Sequence, residues 1–258
     1  MTTTTAATDL QPLLAQVGLS QVAPVLPAWL DRAAREELSY ADFLQGLLTA
    51  EATARVEAAT QDRLRQAGFP FAATIEQFDF QFRPELKRQV VLRYLDPTFV
   101  EQARSLTLIG APGLGKTMLA IAIATKLVQL GYTARFITVQ QLANQLGRIR
   151  TLVGRQRVLR PLLRCDVLIL DEWGYLPADR SVGPVLYELV ASRYEQRPLL
   201  ITSNKSLTEW GQVVRDMSLA AAIVDRLLHH GDVFYLKGPS WRVKGQLPAP
   251  DAEPEASA

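Results

Sequence analysis

Cysteine occurs once in the 258 residues, at Cys165. An internal disulfide and a thiolate zinc cluster are both excluded, and a reducing, intracellular compartment is the expectation. Histidine is almost as scarce. His229 and His230 stand side by side with no cysteine nearby, which is too few ligands for a zinc site. No apolar run approaches the roughly 18 residues that a membrane span needs. The opening MTTTTAATDLQ has no basic n-region, the first Lys or Arg being Arg32. A cytoplasmic protein with no membrane partner is therefore expected. What is abundant points the same way: 48% hydrophobic and 21% charged residues describe a globular chain with a sizeable core, neither collagen-like, coiled-coil nor largely disordered.

Acidic residues are missing from one long stretch. Between 102 and 165 there is no Asp or Glu but ten basic side chains, whereas residues 1–101 and 166–258 each carry a balance of −4. The net charge of +2 thus conceals a basic band. A fold that gathers those arginines on one surface would attract phosphate backbones in a salt-dependent way. An ordinary solvated helical face is the other reading, and charge alone does not choose between them.

Residues 1–8 read as a disordered N-terminus and 246–258, QLPAPDAEPEASA, as a disordered acidic tail. Residues 9–68 contain helical patterns only. Ser39 followed by Asp42 is an N-cap signal for a long helix with Phe43, Leu44, Leu47 and Leu48 on its apolar stripe and Gly68 past its end. Residues 69–245 read differently, opening with FPFAATIEQFDF and a helix near 84–94. Strands are expected at Leu106–Ile109, Arg135–Thr138, Val167–Leu170, Leu199–Thr202 and Val233–Leu236. Alternation of strands with helices predicts an α/β fold, a parallel sheet with helices on both faces.

Directly after the first of these strands comes GAPGLGKT: Gly110, Ala111, Pro112, Gly113, Leu114, Gly115, Lys116 and Thr117. It is a phosphate-binding loop in its required setting of strand before and helix after. The glycines let backbone N–H groups turn inward as an anion nest at a helix N-terminus. Lys116 supplies a point charge to the β- and γ-phosphates of ATP, and the Thr117 hydroxyl is a Mg²⁺ ligand. In CDVLILDEWG the strand Val167–Leu170 ends on Asp171 and Glu172, where ligands bind in open α/β sheets. Asp171 is expected to hold Mg²⁺ through water and Glu172 to deprotonate the water that attacks the γ-phosphate. Asn204, at the end of LLITSN, can bridge that water and the phosphate.

Together these strings, with FITVQQLANQL, DEWGYLP, SRYE, DRLLHH and SWR, closely resemble the IstB-like transposase helper ATPases of insertion sequences. They resemble more distantly the DnaC-type helicase loaders and initiator ATPases of the same AAA+ clade. The likeness covers approximately residues 10–245 and implies an AAA+ core behind a small helical domain. It implies an ATPase that self-assembles as a ring or spiral on duplex DNA and serves a cognate IstA-like transposase; a DnaC-like helicase loader is the alternative. It also implies that Arg226 is an arginine finger reaching the neighbouring subunit's nucleotide and that Arg242 is the second sensor within its own subunit. From residue chemistry alone, Arg226 would pair with Asp225 or another surface acid. Arg193 is a second candidate for the subunit interface. Within the basic band Arg148, Arg150, Arg155 and Arg157 are the expected DNA contacts, while Arg160 and Arg164, nearer the buried strand, are candidates for structural roles. No aromatic residue lies between Phe136 and Trp173, so backbone contact to a duplex fits better than single-strand stacking.

Overall fold

The computed structural model describes residues 10–174 and 182–241. The chain divides into two compact units, one ending at Asp62 and the other beginning at Arg63.

In the first unit, helix α1 (Leu26–Glu36) packs on the early turns of helix α2 (Tyr40–Ala67). The α2 start forms as expected: the Ser39 hydroxyl accepts the Asp42 N–H at 3.2 Å and donates to its carboxylate at 2.6 Å. The apolar stripe is only half used. Phe43 and Leu47 join Val22, Leu26 and Trp29 in the core, but Leu44 and Leu48 stay about half exposed. Rows 43/47 and 44/48 lie about 100° apart around the helix, and the 11-residue α1 contributes to a core that takes in the first row. Glu51 is buried in that core, where its carboxylate accepts the Val22 N–H at 2.8 Å and pairs with Arg55 at 2.7 Å.

The second unit is built on five parallel strands: β1 (Ser105–Ile109), β2 (Ala134–Thr138), β3 (Val167–Trp173), β4 (Leu199–Ser203) and β5 (Gly231–Tyr235). They are arranged in the order β2-β3-β4-β1-β5. Every expected strand is present, β3 running three residues further than its apolar run. Alternation along the strands divides the interior into two cores. Leu106, Leu108, Ile169 and Leu200 face helix α5 (Lys116–Gln129), whose Leu119, Ile123 and Leu127 are fully buried. Leu168, Leu170, Leu199 and Ile201 face the other way. There they meet α6 (Val139–Gly147), α7 (Leu152–Arg164), α8 (Val182–Arg193), α9 (Trp210–Val214) and α10 (Met217–His229). Apolar strands with both faces covered are what a buried parallel sheet requires.

The helix expected at 84–94 is shorter, α3 (Arg88–Leu92) followed by a 3₁₀ turn over Arg93–Leu95 and then α4 (Pro97–Glu101). Residues 83–86 instead close a turn through the Leu86 N–H on the Arg83 carbonyl at 3.0 Å.

Arg193 is corrected by its burial. It is 1% exposed, and its guanidinium donates to the carbonyls of Leu162, Cys165, Asp166 and Pro198 at 2.8–2.9 Å. A side chain so enclosed pins the α7–β3 junction to the α8–β4 junction and presents nothing to a neighbour. Arg193→Met leaves these buried acceptors without a donor and is expected to cost about 3 kcal/mol, read as a lowered urea midpoint with an unchanged slope.

Candidate nucleotide site

A parallel sheet delivers all its strand ends to one edge, and Lys116, Thr117, Asp171, Glu172 and Asn204 arrive there because of it. Strand β1 hands over to the loop at Gly110, whose N–H donates to the Ser203 carbonyl of β4 at 3.1 Å. The loop ends at Gly115, the N-cap of α5, so the first-turn N–H groups of this 14-residue helix lack intrahelical partners and favour an anion. Gly113 has φ +79, and a Cβ there would lie 2.0 Å from the Ser240 hydroxyl, so a larger residue would be strained and would displace that side chain. The Lys116 ammonium donates to the carbonyls of Gly110 and Ala111, both at 2.7 Å, folding the side chain back along the loop.

Asp171 is buried at the end of β3, and one of its carboxylate oxygens collects two hydroxyls. Thr117 of α5 donates to it at 2.8 Å and Thr202 of β4 at 2.5 Å. Thr117 and Asp171 thus supply neighbouring hard oxygen donors, the ligand type that suits Mg²⁺. Glu172 follows in a left-handed conformation, φ +58, at a register shift in the β3–β4 pairing between Leu170 and Trp173. For a residue with a Cβ this backbone is costly and persists only where its surroundings impose it. The imposing group is again Thr202, whose hydroxyl accepts the Glu172 N–H at 3.0 Å. The exposed carboxylate of Glu172 is thereby turned out of the strand's regular alternation.

Thr202 is the member of this cluster that sequence reasoning passed over. A single hydroxyl in the otherwise apolar LLIT run of a central strand was the available signal. Asn204 stands just past β4, partly buried, with its amide oxygen bonded to no protein group. Gly174 lets the chain leaving β3 come this close, since a Cβ there would sit 2.2 Å from that oxygen. Trp173, immediately after the acidic pair, is a core residue: fully buried and stacked on Trp210 with ring centroids 4.4 Å apart.

The arginines separate into distinct groups. Arg226 lies on α10, donates to the Ala222 carbonyl at 2.9 Å and sits over the Tyr187 ring at 5.1 Å. Neither contact involves the phosphate loop or Asp225. Arg242 lies outside the described residues. Arg148 and Arg150, between α6 and α7, are exposed, as is Arg157. Arg155 is partly exposed and ion-paired with Glu188 of α8 at 2.6 Å. The inward face of α7 is taken by Leu159 and Leu162, which leaves Arg157, Arg160 and Arg164 exposed along one outward row at spacings of three and four.

The remaining chemistry is structural. Cys165 is buried with its thiol on the Leu162 carbonyl, and burial pushes its pKa up, the opposite of what a nucleophile needs. His229 contacts the Tyr194 hydroxyl and His230 the Gln102 carbonyl. No cluster of three His, Cys, Asp or Glu suited to a metal occurs among the described residues, and no described helix is long and apolar enough to cross a membrane.

Comparison with known proteins gives a consistent answer. The family model of the IstB-like ATP-binding proteins matches residues 12–249. The chain is 38% identical over 236 residues to the IS21 insertion-sequence ATP-binding protein of Pseudomonas aeruginosa, covering 92% of this chain and 89% of that one. To the IS5376 ATP-binding protein of Geobacillus stearothermophilus it is 38% identical over 217 residues, 84% of this chain and 86% of that one. Among solved structures, AMPPCP-bound DnaA from Aquifex aeolicus superimposes with a TM-score of 0.55 at 16% identity, covering 69% of this chain and 54% of that one. The crystal structure of DnaI does so at 0.53 and 23%, covering 65% and 89%. Both likenesses are of fold.

Proposed function

The chain belongs to the IstB-like ATP-binding proteins, and from that membership we propose that it is the ATP-hydrolysing helper of an insertion-sequence transposition system, assembling on duplex DNA with ATP and recruiting its transposase. The observation that carries hydrolysis is the Asp171 carboxylate, joined by hydroxyls from both the phosphate-loop helix and β4. Thr117 and Asp171 would hold Mg²⁺, which when bound neutralises charge developing on the phosphate oxygens. Lys116 releases its loop carbonyls to pair with the β- and γ-phosphates. Glu172 takes the proton of the attacking water, and Asn204, its amide oxygen unengaged, orients that water against the γ-phosphate. Arg226 completes the site of an adjoining subunit, where its fixed fork can grip phosphate oxygens in pairs. Arg242 would contact the nucleotide within its own chain.

For DNA, the exposed cations Arg148, Arg150, Arg157, Arg160 and Arg164 form the contact surface. They lie in a stretch with no acidic residue, so nothing in sequence on that stretch opposes a phosphate backbone. The transposition reading is preferred to a helicase-loader reading on identity: the insertion-sequence relatives reach 38% over most of the chain, whereas the likeness to DnaI is one of fold at 23%.

Three outcomes test this proposal. Thr202→Val removes the hydroxyl at constant shape, so phosphate release should slow by about tenfold or more, the scale of one lost hydrogen bond to a charged group, with ATP affinity kept and with Thr202→Ser restoring turnover. Arg226→Ala should bind nucleotide as the parent does yet lose the rise in specific ATPase activity with protein concentration; unchanged turnover in the concentrated protein refutes the finger. Charge reversal at Arg157, Arg160 and Arg164 together should weaken duplex binding and lower the slope of log affinity against log salt by about three. Affinity and slope equal to the parent's would remove this row from the interface.

A further inference from the structure

One buried cation has no part in the chemistry above. Arg83, in the segment before α3, is 2% exposed, and its guanidinium is occupied entirely by backbone carbonyls. Nε donates to Leu114 at 3.1 Å, Nη1 to Phe82 at 3.1 Å and to Lys237 at 3.4 Å, and Nη2 to Pro239 at 2.7 Å. Among the described residues no carboxylate pairs with it: Glu85, two positions on, spends Oε1 on the Lys237 N–H at 3.0 Å. A buried charge answered by peptide dipoles and by the face of the Phe82 ring, 4.5 Å from its centroid, is costly, and a guanidinium is the side chain that tolerates it, being weakly hydrated and permanently charged.

The position of one of those carbonyls gives the arrangement its meaning. Leu114 is in the phosphate loop, and no cis peptide occurs among the described residues, so in the Leu114–Gly115 peptide the carbonyl and the N–H point opposite ways. Holding the Leu114 carbonyl on the Arg83 side turns the Gly115 N–H to the other side, where the loop closes on its anion. The preceding peptide is held in the same fashion. The Gly113 carbonyl accepts the Trp241 N–H at 2.8 Å, which turns the Leu114 N–H inward. Residues 237–241 therefore form a strap behind the loop, and Arg83 ties strap and loop to each other; beside it Phe82 packs edge-on against Trp241, ring centroids 5.0 Å apart.

Resting on the assignment of GAPGLGKT as the ATP site, we propose that Arg83 is a positioning residue for the nucleotide: it touches no phosphate, but it fixes the Leu114–Gly115 peptide directly and braces the strap whose Trp241 fixes the peptide before it, so that both N–H groups are aimed before ATP arrives. Preorganisation of this kind appears as affinity, because the cost of ordering the loop is met in folding instead of in binding. It also makes the strap and the nucleotide mutually stabilising, as linkage requires.

The test uses the full chain, a fluorescent ATP analogue and steady-state hydrolysis. Arg83→Met should raise the Kd for the analogue about tenfold, the scale of one lost charge-assisted hydrogen bond. KM should rise in parallel while kcat at saturating ATP stays within about twofold. Arg83→Lys, which keeps the charge and some donors, should recover part of the affinity, and the gain in melting temperature on adding ATP should shrink in Arg83→Met and partly return in Arg83→Lys. A purely structural arginine would lower the melting temperature without splitting KM from kcat. Should Arg83→Met fail to fold, Arg83→Gln is judged by the same readouts. A folded Met or Gln variant that binds the analogue as the parent does overturns the inference. If the parent itself fails to bind, or Lys116→Ala binds as well as the parent, the ATP-site assignment falls instead.

Discussion

A single carboxylate oxygen holds the working edge of this protein together. Asp171 Oδ1 receives hydroxyls from the helix that follows the phosphate loop and from the strand that separates β1 from β3. Because β4 lies between them, the loop after β1 and the acids after β3 are not direct neighbours in the sheet. Thr202 closes that gap, and through its second bond sets the unusual backbone of Glu172. The helix after the loop, the acidic pair and β4 are thereby joined through two threonine hydroxyls and one carboxylate.

Most of the fold was legible because buried parallel strands leave blunt traces: five apolar runs with helix-period stretches between them, each found close to its expected place. The places of the loop and acids were equally legible, since a glycine-rich turn between strand and helix and a polar pair closing an apolar strand each leave a mark at fixed spacing. Legibility failed where three-dimensional partners decide a side chain's fate. Leu44 and Leu48 read as core because periodicity reveals a stripe, not the width of the surface available to cover it.

The arginines show the same limit most clearly. Arg155 and Arg157 look equivalent in sequence, yet one meets Glu188 and the other faces outward. Arg160 and Arg164 were assigned by closeness to a buried strand, whereas helical phase puts them on the outer row. Arg193 and Arg83, the two most enclosed of the described arginines, are satisfied mainly by carbonyls from other segments, and peptide carbonyls leave no mark in a sequence at all. Long flexible cations are the residues whose roles composition predicts worst, since the same chemistry serves a surface, an ion pair or an internal brace.

The strap behind the phosphate loop bears on how the protein is made. Gly110–Thr117 emerges from the ribosome early, followed by more than a hundred residues before Trp241, and until that tryptophan's amide is in place the Gly113 carbonyl has lost one of its anchors. A nascent chain therefore carries a motif without a finished receptor. Synthesis must therefore run as far as Trp241 before the loop has this support behind it.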